Sequence, residues 1–493
     1  MSQNLIEFTY FNSKQLLPLL VSSIVLIISI FSFHLNKSKT ALFLLFIGSL
    51  GLGYFIANLD NFLNIWDEQY HALVAKNMIA NPFKPMLYTT PLLDYDFRNW
   101  TTNHIWLHKQ PLFLWQIALS LKLFGIHELA VRIPSILLHA FVSLMVYRIG
   151  KISYNASVGF YGALFFSVNY HILELIAGKY PTDHNDISFL FYVTASIWAW
   201  FEYQNSQNKY WILLIGLFSG CAVLVKWLVG LLVYAIWGIS IGVNTRNNLF
   251  KLKSYYPILV ALSITLLIFV PWQLFILHQF PAEASYEYQL NTEHFFKVVE
   301  NHGGDIWFHF NALKDIYGSG DAIPFILLLG LVLFLKNSAK IYRVAGLSAI
   351  IIVYSFYTLA ATKMTSFCII VSPFFFLALG AIIYSVIELL KSKIQFKLFK
   401  TIFPSTALIV ICFFLLDISK IENYHTDWKP EDNRNRNKDL EQMALIQSVQ
   451  EYGLDETFVV FNSATRLNGH IPVMFYTNCI AYDFIPNSKQ IEI

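Results

Sequence analysis

Apolar runs recur along most of the chain, and the stretches between them alternate between short basic connectors and longer segments rich in acids, histidine and tryptophan. Runs near 18 or more apolar residues read as transmembrane helices, because about 20 residues of helix are needed to cross a hydrocarbon core. The pattern predicts about twelve spans, near 15–33, 40–58, 133–150, 155–175, 187–203, 210–225, 227–244, 256–276, 322–336, 343–361, 365–390 and 401–417. The pair flanking Lys226 reads either as two spans or as one bent or re-entrant unit.

Charge placement orients these spans. One set of alternate connectors holds Lys37 and Lys39; Arg148 and Lys151; Lys209; Arg246, Lys251 and Lys253; Lys336, Lys340 and Arg343; and Lys391, Lys393, Lys397 and Lys400. These connectors are short and nearly free of Asp and Glu, and the positive-inside rule places them in the cytoplasm. The opposite segments, about 59–132, 178–186, 277–321 and a tail from 418, then lie on the extracytoplasmic side with both termini. The expected organisation is a multi-span domain over 1–417 and a small extracytoplasmic region over 418–493. Residues 59–132 form the first external, catalytic loop, and 277–321 form another external loop.

Two shorter patterns refine this layout. In QPLFLWQIALSLKLFG, Pro111 stands at a helix start and Gly125 at its end, with Leu112, Trp115, Leu119 and Leu123 on one face. The segment is short for a span and fits an amphipathic helix lying in the interface. In the tail, LEQMALIQSVQEYG reads as a helix, TFVVFN as a strand, and IPVMFYTNCIAYDFIP as a further element, together a small α/β appendage.

Composition supports a polytopic membrane protein. Of 493 residues, 56% are apolar and only 13% charged, where soluble domains carry about 25% charged residues. The net charge of +3 is small, and no nucleic-acid partner is expected. Cys221, Cys368, Cys412 and Cys479 show neither metal-ligand spacing nor a disulfide framework and read as packing residues. The N-terminal MSQNLIEFTYFNSK lacks a cationic n-region and a small-residue cleavage site, so the first run reads as a retained span.

Candidate chemistry collects on the outer side. In NIWDEQYHALVAKNM, Asn64 can cap a helix and put Asp67 in its first turn, where a carboxylate favours the positive end of the dipole. The same geometry suits a general base facing a cavity. Adjacent helical residues point about 100° apart, so Asp67 and Glu68 take different jobs, one facing the site and one anchoring the loop. Lys109, after His108 and just before the interfacial helix, stands at headgroup depth, where it either snorkels or meets a lipid phosphate. The turn GKYPTDHND carries Lys179, Asp183 and Asp186. Those acids serve turn geometry, orient a hydroxyl or bind a cation.

VVENHGGDIWFHF places Glu300, His302, Asp305 and His309 close together, without standard metal spacing; the segment also reads as a loop folding over a site. Lys363 and Lys226 sit in apolar contexts that are costly unless the charge is paired or interfacial. Carboxylates and cations from separate loops thus converge on one face, as an enzyme for an anionic lipid-linked substrate requires.

The order of these motifs resembles the lipid-linked glycosyltransferases with the GT-C fold. The resemblance is to dolichyl-phosphate-mannose protein mannosyltransferases and the aminoarabinose transferase of lipid A (families 39 and 83). It is carried by DEQYHALVAKNM, HKQPLFLWQIALSLKLFGIHELAVRIPS, GKYPTDHND, GCAVLVKWLVG, PWQLF, ENHGGDIWFHF and TKMTSFCIIVSP, from about residue 60 to 375. It implies an all-α polytopic GT-C fold in a bacterial-type inner or plasma membrane. The implied reaction is inverting sugar transfer from a polyprenyl-phosphate carrier to a hydroxyl of a protein, lipid A or another envelope glycan. The implied partners are therefore the polyprenyl-phosphate-linked sugar, membrane lipid and a protein or glycolipid acceptor.

By this resemblance Asp67 is the base, Lys109 contacts the phosphate, and the second acidic position is Asp183 or Asp186. Glu68, Tyr70, His108, Lys179, His302 and Lys363 complete the expected substrate-binding set. No cofactor is required, and no clear ligand motif supports a divalent cation. The chain departs from the family's His-Lys-Pro-Pro at Gln110, has Lys179 where arginine is usual, and has Phe367 where tyrosine is common. The competing classes are a secondary transporter and a non-catalytic envelope-assembly protein. Transporters gather binding residues near the midplane, whereas the ionisable residues here sit at span ends and in outer loops.

Overall fold

The computed structural model describes residues 10–180, 182, 184–244, 252–318, 320–392, 396, 399–426, 434–454 and 457–492. Asp183, Arg246, Lys251, Lys393 and Lys397 lie outside the described residues.

The architecture is a helical bundle. It starts with α1 (Ser13–His34) and α2 (Ser38–Ala57), which pack on each other as a hairpin. Asn12 opens α1 with a capping box, exchanging bonds with Gln15 and satisfying backbone donors the helix leaves free. After a loop comes α3 (Asp67–Met78), then α4 (Pro111–Phe124), α5 (Glu128–Ser153) and α6 (Ala156–Val168). The expected interfacial helix is α4. It buries Phe113, Leu114, Ile117 and Leu121 while Leu119, Leu123 and Phe124 stay exposed, leaving an apolar face open at the surface.

The expected span over 155–175 is split. Asn169 breaks it by accepting from the Ile172 amide (3.1 Å) and donating to the Ile316 carbonyl (2.9 Å). The chain then resumes as the short α7 (Tyr170–Ile176). Next come α8 (Asp186–Ser206), α9 (Tyr210–Lys226), α10 (Leu232–Asn244) and α11 (Tyr256–Gln279). The two readings of the Lys226 region resolve in favour of two helices. Trp227 takes a positive φ of 72°, a 3-10 turn follows, and Ser219 Oγ bonds the Gly230 carbonyl at 2.8 Å as the chain folds back along α9. The return is visible at the far end, where Lys340 Nζ reaches the Val243 carbonyl at 3.0 Å.

The later bundle holds α12 (Pro281–Phe296), the short α13 (Phe308–Asn311) and α14 (Leu313–Tyr317), α15 (Ile323–Asn337), α16 (Lys340–Leu359), α17 (Ser372–Lys391) and α18 (Phe399–Leu416). α17 packs on α6 and α15 through small residues: a Cβ on Gly380 would lie 2.9 Å from the Gly162 nitrogen. Such close approach is how membrane helices gain contact where apolar burial alone gives no preference. Among the described residues, eight helical segments are long and apolar enough to cross a membrane, and Tyr210–Val243 counts as one of them despite its break. Ile323–Asn337 is apolar but shorter, as is α6, whereas α8 has the length and carries more polar side chains.

The tail is the expected small α/β unit, with less strand than its pattern predicts. It comprises α19 (Ile418–His425), α20 (Arg434–Glu451), a two-residue parallel pair of β1 (Val459–Val460) and β2 (Ile480–Ala481), α21 (His470–Tyr476) and α22 (Ser488–Ile491). It is docked on the first loop. Lys76 Nζ of α3 donates to the carbonyls of Met474, Phe475 and Thr477 at 2.6–2.9 Å, capping the end of α21. Tyr88 stacks on Tyr482 at 5.3 Å. A buried cluster adds a clamp: His425 bonds Asp60 (2.6 Å) and Glu174 (2.9 Å), and Arg436 also pairs with Asp60.

Candidate active site

The site begins at the start of α3. Asn64 does not cap that helix, as its sequence position predicts; the N-cap is Trp66, which has a φ of 73° and no side-chain cap bond. A bulky residue in this region is held only by its surroundings and marks stored strain. Asn64 instead donates from Nδ2 to the Ala177 carbonyl at 2.8 Å, and its backbone N–H donates to Glu68 Oε2 at 2.5 Å. These contacts fix the helix start, so Asp67 enters the first turn with its carboxylate turned into the bundle.

Asp67 and Glu68 part company there. Asp67 lines a cavity of about 540 Å³ and forms an ion pair with Lys109 at 3.1 Å. Glu68 does not line it. It is fully buried beneath Arg132, which donates from Nε at 2.7 Å and from Nη2 at 3.0 Å. The same guanidinium ties the carbonyls of Ala57, Asp60 and Phe62. The expected substrate-binding role of Glu68 therefore has no surface to act through.

Lys109 directly precedes Gln110, the N-cap of α4, so the Pro111 start that sets the helix also sets the lysine. Burial opposes its charge, but the Asp67 carboxylate outweighs that and holds Lys109 above the usual lysine value. A second ion pair stands nearby: Asp186, first residue of α8, meets Lys226, last residue of α9, whose ammonium lies 4.9 Å from the Phe367 ring centre. Lys226 lines the cavity beside Asn185.

Other expected residues are placed differently. His108 lines the cavity, stacks on Trp100 at 4.3 Å and comes within 3.5 Å of Glu287. Tyr70 is fully buried among Trp66, Trp100 and Trp106 and does not reach the cavity. Lys179 donates to the Tyr424 carbonyl at 3.2 Å, away from the cavity wall. His302 serves through its backbone, accepting from the Lys363 amide at 2.8 Å. Lys363 Nζ is turned onto the carbonyls of Thr358 (3.0 Å) and Ala360 at the end of α16. Tyr70, Lys179, His302 and Lys363, expected in the substrate-binding set, do not line this cavity.

Sequence reasoning missed several wall residues: Trp66, Asn185, Trp227 and His294 line the cavity. So do Gln110, read only as a departure from the family's motif, and Glu300, in the segment read as a loop folding over a site. Burial, and then the charges of His108 and Lys109, push His294 down to about 4. Behind the wall, His71 Nδ1 and His184 Nδ1 share a hydrogen bond of 2.9 Å. Burial chiefly, and then mutual repulsion for His71, holds both below the ordinary value of 6.5. Among the described residues no group of three or more His, Cys, Asp or Glu is arranged to hold a metal ion.

Most of the rest of the wall is apolar, with Thr182, Asn291, Tyr357 and Thr362 as polar exceptions, and it comes from different elements. The 3-10 turn gives Trp227, Leu228 and Leu231; α10 gives Leu232 and Ala235; α16 gives Ile352, Val353 and Phe356. A polar part holding two lysines thus continues into an apolar part between bundle helices.

Residues 108–275 match the sequence profile of the dolichyl-phosphate-mannose-protein mannosyltransferase family. An uncharacterised protein of Aquifex aeolicus is 26% identical over 197 residues, 39% of this chain and 36% of that protein. The chain thus matches about a third of that relative's length. Among solved structures, ArnT from Cupriavidus metallidurans bound to undecaprenyl phosphate superposes with a TM-score of 0.64 at 12% identity, over 92% of this chain and 87% of that one. The archaeal oligosaccharyltransferase AglB from Archaeoglobus fulgidus, in complex with an inhibitory peptide and a dolichol-phosphate, gives 0.58 at 12% identity, over 93% and 65%. Both are GT-C structures, and this chain has the GT-C fold.

Proposed function

We propose that this GT-C membrane protein is a glycosyltransferase that moves a sugar from a polyprenyl-phosphate carrier to a hydroxyl acceptor, with Asp67 as general base. One observation carries the reading: a buried carboxylate and a lysine, 3.1 Å apart, stand in the polar part of a cavity whose other part is lined mostly by apolar side chains of bundle helices. The polar part suits a sugar phosphate and the apolar part an isoprenoid chain. The family match and the ArnT and AglB likeness support the same class.

The chemistry is a single displacement. Asp67 takes the proton of the acceptor hydroxyl as that oxygen bonds to the anomeric carbon. The bond from the anomeric carbon to the phosphate oxygen breaks with its electron pair, and the configuration inverts. Charge grows on the departing polyprenyl phosphate, where Lys109 stabilises it and Lys226 adds a second positive charge. Their resting partners matter. A donor phosphate draws Lys109 away from Asp67, and a carboxylate that loses its cation becomes a stronger base. Base and donor are thereby coupled, so Asp67 gains strength when a donor is in place. Asp186 positions Lys226 from the second acidic segment.

The loop end carrying the cavity faces the extracytoplasmic side in this reading, because the basic connectors gather at the other end. The acceptor is a hydroxyl of a protein, of lipid A or of another envelope glycan. The test is Asp67→Asn in membranes supplied with polyprenyl-phosphate sugars and envelope acceptors. Transfer is expected to fall by about 10²–10⁴-fold, while polyprenyl phosphate still binds. Undiminished transfer by that variant overturns the role of Asp67.

A further inference from the structure

Glu300 is the second carboxylate in the cavity wall, and nothing in the mechanism above uses it. Its backbone is held in the left-handed region at φ 52°, and Asn301 follows at φ 61°. Asparagine tolerates this region, but a glutamate adopts it only when its surroundings impose it. The surroundings do so. Val299 N–H donates to Thr362 Oγ1 at 3.1 Å, and Lys363 N–H donates to the His302 carbonyl at 2.8 Å, pinning the turn on both sides.

The side chain is fixed as well. Trp100 Nε1 donates to Glu300 Oε1 at 2.9 Å. Trp100 itself is buried, stacked on His108 at 4.3 Å and packed edge-on against Trp66 at 5.2 Å and Tyr70 at 4.9 Å. The first loop therefore braces a carboxylate carried by the loop after α12. The charge pattern is unequal. Asp67 has Lys109 as its ion-pair partner, whereas Glu300 has no cation within ion-pair distance among the described residues. Its bond to a neutral indole occupies one carboxylate oxygen and leaves the other available as an acceptor on a residue of the cavity wall.

We infer that Glu300 reads the sugar of the donor, accepting hydrogen bonds from its hydroxyls while Lys109 and Lys226 hold the phosphate. This rests on the glycosyltransferase reading and adds to it a specificity residue on a strained, braced turn. A carboxylate without a counter-cation also rejects a sugar that carries its own carboxylate, so the donor class is a neutral, hydroxyl-rich sugar.

The experiment compares the purified full chain with its Glu300→Gln and Trp100→Phe variants. Binding is followed by intrinsic tryptophan fluorescence with undecaprenyl phosphate and with undecaprenyl-phosphate mannose, glucose, galactose and glucuronic acid. The wild type is expected to bind at least one neutral-sugar lipid more tightly than the bare phosphate, and the glucuronate more weakly. Glu300→Gln is expected to lose about ten-fold or more of the affinity for that neutral-sugar lipid, with bare-phosphate binding unchanged. Trp100→Phe should lose part of the same increment. Unchanged bare-phosphate binding shows that the variants are folded. The inference is overturned if no neutral sugar adds affinity in the wild type, if Glu300→Gln keeps the increment, or if it weakens bare phosphate equally. Failure of the wild type to bind undecaprenyl phosphate at all overturns the glycosyltransferase reading and this inference with it.

Discussion

Asp67 and Glu68 are neighbours in sequence with opposite fates, and burial decides between them. Glu68 lies under a guanidinium in a fully buried pair. Removing one partner of such a pair leaves an uncompensated charge, so Arg132→Ala is expected to destabilise the protein by about 3–5 kcal/mol, read as a lower Tm in detergent. Asp67→Asn, by contrast, leaves Lys109 beside a cavity rather than sealed in the core, so it should lower Tm less than Arg132→Ala and act chiefly on transfer. The division of labour between the two acids followed from helical geometry alone. What the sequence could not show was Arg132, which comes from a helix 64 residues away.

The histidine pair behind the wall yields a pH dependence. His71 and His184 are held below 6.5 in the folded protein, whereas an unfolded histidine protonates near that value. The unfolded chain therefore binds more protons below 6.5, and stability falls as pH drops through it and is regained above. Thermal unfolding scanned from pH 7.5 to 5 should show this slope, and His184→Phe should flatten it.

At the scale of elements, span positions were legible because apolar periodicity and length are local properties. Twelve expected segments all fall on helices. Breaks were less legible. Asn169 interrupts its helix through a bond to Ile316, a partner 147 residues away. Lys226 announced itself as a costly charge in an apolar stretch, yet its partner Asp186 and the reversal at Trp227 depend on tertiary placement. Tyr70, Lys179 and Lys363 show how side-chain direction escapes the sequence: Tyr70 packs among aromatic rings, and both lysines donate to carbonyls and do not line the cavity.

Gly178 illustrates a position where backbone and packing agree. It sits at φ 70° in the turn before α8, and a Cβ there would lie 2.7 Å from the Glu68 carboxyl carbon. Gly178→Ala is expected to destabilise by more than about 1 kcal/mol, measured as a fall in Tm. The effect should shrink in a Glu68→Ala background, since the two changes share one contact.

For the whole molecule, the tail is part of the site's support. Lys76 joins α3, the helix that Asp67 begins, to the last turn of α21 through three carbonyls. Lys76→Met removes those donors and should loosen the tail, read as faster limited proteolysis of the tail at unchanged detergent extraction. The strand expected over TFVVFN forms, but only Val459–Val460 pair, with Ile480–Ala481; the following IPVMFY stretch is the short helix α21.

The apolar part of the cavity, between α10 and α16, has a kinetic consequence. A donor whose chain lodges there is drawn from the bilayer, so what the enzyme senses is donor per lipid and not donor per volume. Diluting proteoliposomes with inert phospholipid at constant total donor should slow transfer in proportion, while diluting the whole suspension with buffer should not. On the proposed function, half-saturation is then a mole fraction, and the rate follows the ratio of carrier to bulk lipid.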